Sequence, residues 1–181
     1  MRPIGESGKK LIVFLDCGDT IIDEGTEVRD DEGIVIRGDL IPGADVMVRT
    51  LAERGYTLAL VADGDAQSFK NLLTQNGLYE YFTTLIYSET IKASKPSSRM
   101  FKAAIGALDL DFEDCSRIVM VGNNLSRDIK GANEMGITSI FLRWSPRYPK
   151  DHVEDSEKPD YIISQPLELI DLVERLNAQL G

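Results

Sequence analysis

Histidine occurs once in this chain, at His152, which nearly excludes His-based metal clusters and Ser-His-Asp triads. Cysteine occurs twice, at Cys17 and Cys115, too few for a disulfide framework and in keeping with a reducing cytoplasm, the expected location. Cys17 lies beside the carboxylate that matters most below, and its simplest role is a small side chain packed behind a turn. No apolar run approaches a membrane span and the N-terminus lacks an apolar leader region, so no membrane partner is expected. Positive charge is scarce: 20 Lys and Arg face 30 Asp and Glu, a net charge of −10. A general nucleic-acid binder would want a basic face, so no nucleic-acid partner is expected. No internal repeat, low-complexity tract or linker breaks the chain. With 43% hydrophobic and 28% charged residues over 181 positions, one soluble domain covering 1–181 is expected, with a full core.

Short apolar runs alternate with helical patterns, the signature of parallel βαβ units. The strand-like runs are Leu11–Leu15, Thr57–Val61, Thr84–Tyr87, Arg117–Val121, Thr138–Leu142 and Tyr161–Ser164. Between them, helical stretches over Ala44–Arg54, Ala66–Asn76 and Ser126–Met135 stop at Gly55, Gly77 and Gly136, glycine being favoured just past a helix end. Pro96 opens a helix through Leu108, and Pro166 opens a last one over Leu167–Leu180. Two segments break the rhythm. Asp23–Leu40 reads as a β-hairpin, Thr26–Val28 facing Ile34–Ile36 across the turn Arg29–Gly33, either a flap or a plain cover over the sheet end. Arg143–Pro159 is a long loop without apolar periodicity.

The segment Leu11-Ile12-Val13-Phe14-Leu15-Asp16-Cys17-Gly18-Asp19-Thr20 carries the chemistry. An apolar strand ends in a carboxylate, where open α/β sheets bind ligands. Asp16 therefore sits where a reactive or metal-binding carboxylate belongs, although an aspartate there can also simply cap the turn. The second strand ends in Ala62-Asp63-Gly64, Lys95 precedes Pro96 after the third, and the fourth ends in Val121-Gly122-Asn123-Asn124-Leu125-Ser126-Arg127-Asp128.

These four segments, in this order and on alternating elements, resemble the motifs of the haloacid dehalogenase-like superfamily, over about Leu11–Leu142. The resemblance implies a Rossmann-like three-layer α/β sandwich with a central parallel sheet. It implies that Asp16 is a nucleophile forming a covalent ester and that Lys95 balances charge. It further implies that the Gly18 carbonyl, Asp16, Asn123 and Asp128 hold or orient magnesium. Ala62 and Asp63 fall where the family contacts substrate.

Three positions depart from the family. The aspartate that commonly serves as general acid–base two residues after the nucleophile is Gly18, the usual Ser or Thr of the second motif is Ala62, and a usual magnesium aspartate is Asn123. Losing a positioned acid typically costs ~10²–10⁴ in rate, so leaving groups that need no proton would suffer least. Asp19 would replace the missing acid only if the turn rotated. An amide oxygen is a weaker ligand for a hard cation than a carboxylate, so weak magnesium binding is expected. Family dehalogenases carry Asn in the fourth motif but need the second-motif Ser and a cap domain, and neither is evident here. The interval after the first motif holds only the hairpin and one helix, so the chain looks capless. An open site of that kind suits a large substrate or closure by a second copy.

The loop Arg143-Trp144-Ser145-Pro146-Arg147-Tyr148 gathers basic and aromatic residues in an acidic protein. Arg143 and Arg147 are candidates for holding an anionic substrate; the plainer alternative is a solvated loop with Trp144 on the core. The leading expectation is a magnesium-dependent, phosphatase-like hydrolase of a phosphorylated or anionic small molecule. Its rival is a non-catalytic relative that binds a ligand or partner in the same pocket.

Overall fold

A computed structural model describes residues 9–180; residues 1–8, the start of the region read above as lacking a leader, and Gly181 lie outside the described residues. In chain order the elements are β1 (Ile12–Leu15), β2 (Val28–Arg29), β3 (Val35–Arg37), α1 (Ala44–Glu53), β4 (Thr57–Ala62), α2 (Ala66–Gln75) and β5 (Thr84–Tyr87). They continue with α3 (Ser88–Ile91), α4 (Ser98–Ala107), β6 (Ile118–Gly122), α5 (Lys130–Glu134), β7 (Thr138–Leu142), β8 (Tyr161–Ile163) and α6 (Glu168–Ala178).

Six parallel strands form the central sheet in the order β5-β4-β1-β6-β7-β8. β1 is the pivot: Ile12 pairs with Thr57 on one side and Ile118 on the other, and all four of its residues are buried. That is why its sequence is a continuous apolar run rather than an alternating one. Its side chains divide between the two faces. Val13 and Leu15 join the core under α1, α2 and α6, while Ile12 and Phe14 pack with Met100, Phe101 and Ala132. The helices dock through narrow stripes, Ala44, Met47, Val48 and Leu51 on α1 and Met100, Phe101, Ala104 and Ile105 on α4. Because the connections leave β1 in one direction and β6 in the other, the strand order reverses between these two, and the crevice beyond their carboxyl ends is the ligand position of such sheets.

Several elements differ from the sequence expectation. The hairpin exists, but Val28 pairs with Arg37 and Arg29 with Val35, with an irregularity between them. The long helix expected over Ser126–Met135 opens instead as a π-helical turn, Leu125–Ile129, before α5. The Asn124 carbonyl accepts from Arg127, Asp128 and Ile129 at 3.3, 2.9 and 3.3 Å. The widened turn lets Leu125 and Ile129 bury against Phe141 while Asp128 turns inward; such turns occur often at functional sites. The one-turn helix α3 was not foreseen. Gly55, Gly77 and Gly136 end their helices with left-handed φ, as expected.

A 3-10 turn, Phe112–Arg117, leads into β6 and is closed by a capping box: the Asp114 carboxylate accepts from the Asp111 amide at 2.9 Å and from Arg117 Nε at 2.9 Å. Those bonds, the Asp111 amide first, pull the Asp114 carboxyl from 3.8 down to about 2. Its stabilising contribution is therefore complete above its unfolded value and is lost as pH falls through the folded one. Asp114→Ala is expected to lower Tm at pH 7, with the gap to wild type closing between about pH 4 and pH 2. A gap that persists unchanged at pH 2 in thermal melts contradicts this role.

Candidate active site

Asp16 follows β1 directly, and its amide donates to the Val121 carbonyl of β6 at 3.0 Å, which fixes the backbone at the crevice floor. Lys95, in the loop before α4, is threaded beneath it. Lys95 Nζ donates to Asp16 Oδ1 at 3.0 Å, to Asp128 Oδ1 at 2.5 Å and to the Val61 carbonyl at 2.7 Å. All three donors of the ammonium are thereby used. The Lys95 and Asp128 side chains are 1% exposed and that of Asp16 is 14% exposed, so of the three Asp16 is the most accessible.

Electrostatics follow from this packing. Burial raises the Asp16 carboxyl, the neighbouring Asp128 charge raises it further, and Lys95 opposes both; the balance lies well above the usual carboxylate range. Burial pulls Lys95 down, but Asp128, Asp16 and Asp63 together outweigh it and hold the ammonium charged. Asp128 commits its second oxygen to the Asn124 amide at 3.1 Å. It reaches inward only because residue 122 is glycine: a Cβ on Gly122 would collide with the Asp128 carboxylate.

The carboxamide of Asn123 places one polar atom 3.0 Å from both the Gly18 carbonyl oxygen and Asp16 Oδ2. With Nδ2 in that place the amide donates to both. With Oδ1 there, three oxygens converge, an arrangement that a bound cation would satisfy. The residues present therefore fit a hard cation. They fit a weak one, since among the described residues no three His, Cys, Asp or Glu side chains gather around a common point.

Beyond Asp16 opens a cavity of about 280 Å³. Its lining includes Asp16, Gly18, Lys95, Asn123 and Asp128, so these five expected site residues are brought together. Asp63 also lines it, accepting from the Lys95 amide at 2.9 Å and pairing with Arg127 at 3.6 Å. Ala62 is buried in the core and contributes no polar group to the cavity. Arg143 pairs with Asp151 at 3.6 Å, away from the cavity lining. Arg147 lies behind the site: its Nε and Nη2 donate to Asp19 at 3.0 and 2.9 Å, and it also pairs with Asp23. Asp19 is fully buried at φ 51°, held by Arg147 and by Ser145 Oγ at 2.5 Å, so its carboxylate faces the loop and not the cavity. Cys17 packs in the core, as its simplest reading has it, and Trp144 is partly buried against the same cluster.

Several lining residues escaped the sequence reading, among them Glu24, Arg29, Arg127 and Tyr148. Arg127 stood inside a quoted motif. The hairpin brings Arg29, paired with Glu27 at 3.0 Å, over the crevice. Tyr148 belongs to the basic–aromatic loop, and its hydroxyl donates to Glu24 Oε2 at 2.9 Å. Burial raises the Glu24 carboxyl, with the Tyr148 hydrogen bond opposing; burial and Glu24 together raise Tyr148, which remains a neutral donor.

A family model for haloacid dehalogenase-like hydrolases matches residues 34–142. The glyceraldehyde 3-phosphate phosphatase of Methanopyrus kandleri is 32% identical over 139 residues, covering 76% of this chain and 58% of that protein. The pyrimidine 5'-nucleotidase PynA of Streptococcus pneumoniae is 28% identical over 139 residues, covering 77% and 56%. Among solved structures, an HAD phosphatase from Thermococcus onnurineus superposes with a TM-score of 0.64 at 27% identity, covering 75% of this chain and 58% of that one. This chain thus spans little more than half the length of these relatives. Together with the parallel sheet and the crevice where Asp16, Lys95 and Asp128 meet, the match establishes that the chain belongs to the haloacid dehalogenase-like hydrolase family.

Proposed function

We propose that the protein is a magnesium-dependent phosphohydrolase of a small phosphorylated metabolite, with Asp16 as the nucleophile. The observation that carries this reading is the ion-paired Asp16 itself: it lines the cavity and is the more accessible carboxylate of the buried Asp16–Lys95–Asp128 cluster. Phosphatase relatives support the reaction class. Lys95 donates to Asp16 Oδ1 and so keeps the carboxylate oriented for attack on phosphorus, while Oδ2 is the oxygen beside Asn123. Asp128 and the Val61 carbonyl keep the ammonium in place as negative charge gathers on the phosphoryl group. Arg29 and Arg127 both line the cavity and suit the anionic remainder of a substrate.

Asp16 Oδ2, the Gly18 carbonyl and Asn123 Oδ1 are the groups that would hold magnesium. When bound, it supplies positive charge that favours the ionised nucleophile and offsets the phosphate charge. Six carboxylates and three cationic side chains line the cavity, so without that charge a phosphate would meet a net acidic wall.

Phosphate release from a panel of phosphomonoesters, including an aryl and an alkyl ester, is expected with magnesium and not with excess chelator. No release from any ester by the folded protein leaves the second reading, a ligand-binding module, for which Gly18 and Ala62 speak. Magnesium is expected to bind in the millimolar range or weaker, and Asn123→Asp to tighten it by about tenfold through added ligand charge. Calorimetric titration checks this; micromolar affinity of the wild type overturns it.

A further inference from the structure

We propose that Glu24 is the acid–base group of this site, its carboxyl occupying the volume where an aspartate at position 18 would carry its own. The inference rests on the phosphohydrolase reading above. Gly18 has no side chain, but the space beside it is filled. A Cβ built on Gly18 would collide with Glu24 Oε1 and lie 2.9 Å from Glu24 Cδ and 3.0 Å from its Cγ. An aspartate at that position would carry its carboxylate oxygens about 2.4 Å from its Cβ. The two carboxyl groups thus compete for one place, and Glu24 lines the same cavity as Asp16.

The local chain is arranged to hold it there. Asp19 Oδ1 accepts from the Glu24 amide at 2.9 Å, and Arg147 and Ser145 immobilise Asp19 in turn. Tyr148 donates to Oε2 at 2.9 Å and lies 3.2 Å from Oε1, so both the backbone and the carboxylate of Glu24 are oriented. The other acidic side chains of the cavity are already engaged. Glu27 pairs with Arg29, Asp63 binds the Lys95 amide and Arg127, and Asp65 caps α2 through the Ser68 amide. Among the described residues, no cationic nitrogen lies within ion-pair distance of Glu24.

In the first half-reaction an Asp16 oxygen bonds phosphorus, the bond from phosphorus to the leaving oxygen breaks, and that oxygen takes the Glu24 proton. In the second, the Glu24 carboxylate takes a proton from water as the water oxygen bonds phosphorus and the bond to Asp16 breaks. Inorganic phosphate departs, and both carboxyl groups return to their starting states.

The test uses the full chain with magnesium, comparing glycerol phosphate with p-nitrophenyl phosphate. Glu24→Gln is nearly isosteric and is expected to lower glycerol phosphate turnover by about 10²–10⁴-fold. On p-nitrophenyl phosphate, whose leaving group needs no proton, it should instead give a burst of about one nitrophenolate per chain and then slow release. Gly18→Asp combined with Glu24→Ala puts the carboxyl back on residue 18 in the vacated space, and is expected to recover turnover to within about tenfold of wild type; Gly18→Ala with Glu24→Ala is not. Three results overturn the proposal: unchanged glycerol phosphate turnover in Glu24→Gln, equal losses on both esters without a burst, or no recovery in a folded Gly18→Asp/Glu24→Ala chain. Failure of the underlying reading is told apart by wild type alone, which would then release no phosphate from either ester.

Discussion

Asp16→Asn is expected to abolish phosphate release, by on the order of 10⁴-fold or more, as removal of a nucleophile does. An amide has the shape of the carboxylate but neither the charge nor the electron pair that attacks phosphorus. The same substitution should leave the fold at least as stable as wild type at pH 7. Burial and Asp128 both raise the Asp16 carboxyl, so its ionised form is a burden in the folded state at neutral pH. Loss of activity with an equal or higher Tm is the signature of a group kept for chemistry at the expense of stability. A variant that keeps its turnover, or one that loses activity only because it melts early, contradicts the assignment.

Lys95→Met is expected to be the most destabilising single change at the site. The ammonium lies between two carboxylates that are buried with it, and removing one partner of a buried ion pair typically costs about 3–5 kcal/mol. For a chain of this size that corresponds to a fall in Tm of roughly 6–20 °C. The loss grows with pH, as ionisation of Asp16 and Asp128 leaves two buried carboxylates with no cation between them. It shrinks as pH falls and these two groups, already raised above the ordinary carboxylate range, take up protons. Adding Asp128→Asn should recover part of the Tm, because one uncompensated charge is removed. A fall below about 2 °C at pH 7, or no recovery in the double variant, would show that the three groups are not coupled as their distances indicate.

The parts of this site that were legible from position alone share one property: each is attached to a strand end or to the segment just after one. Asp16 follows an apolar run, Asn123 and Asp128 follow another, and a parallel sheet brings such ends together whatever else the chain does. Lys95 was legible through the motif around it. Glu24 and Tyr148 were not, because their meeting depends on Asp19 adopting a left-handed conformation and on the loop after β7 folding back to reach it. Nothing in the spacing of residues 24 and 148 signals that contact. Arg147 was expected to greet an anionic ligand and is instead committed to Asp19 and Asp23, a choice made by burial of Asp19 rather than by local sequence. The interruption at Leu125–Ile129 was hidden as well, since the apolar spacing there also satisfies an ordinary helix.

Trp144 is the single tryptophan of the chain, and it sits one residue before Ser145, whose hydroxyl clasps Asp19. Half sheltered against the core, its indole marks where the loop carrying Tyr148 is seated. The protein thus contains its own optical label: ultraviolet emission from one known position, red-shifting as the indole meets water, reads whether that loop is docked without any dye being attached.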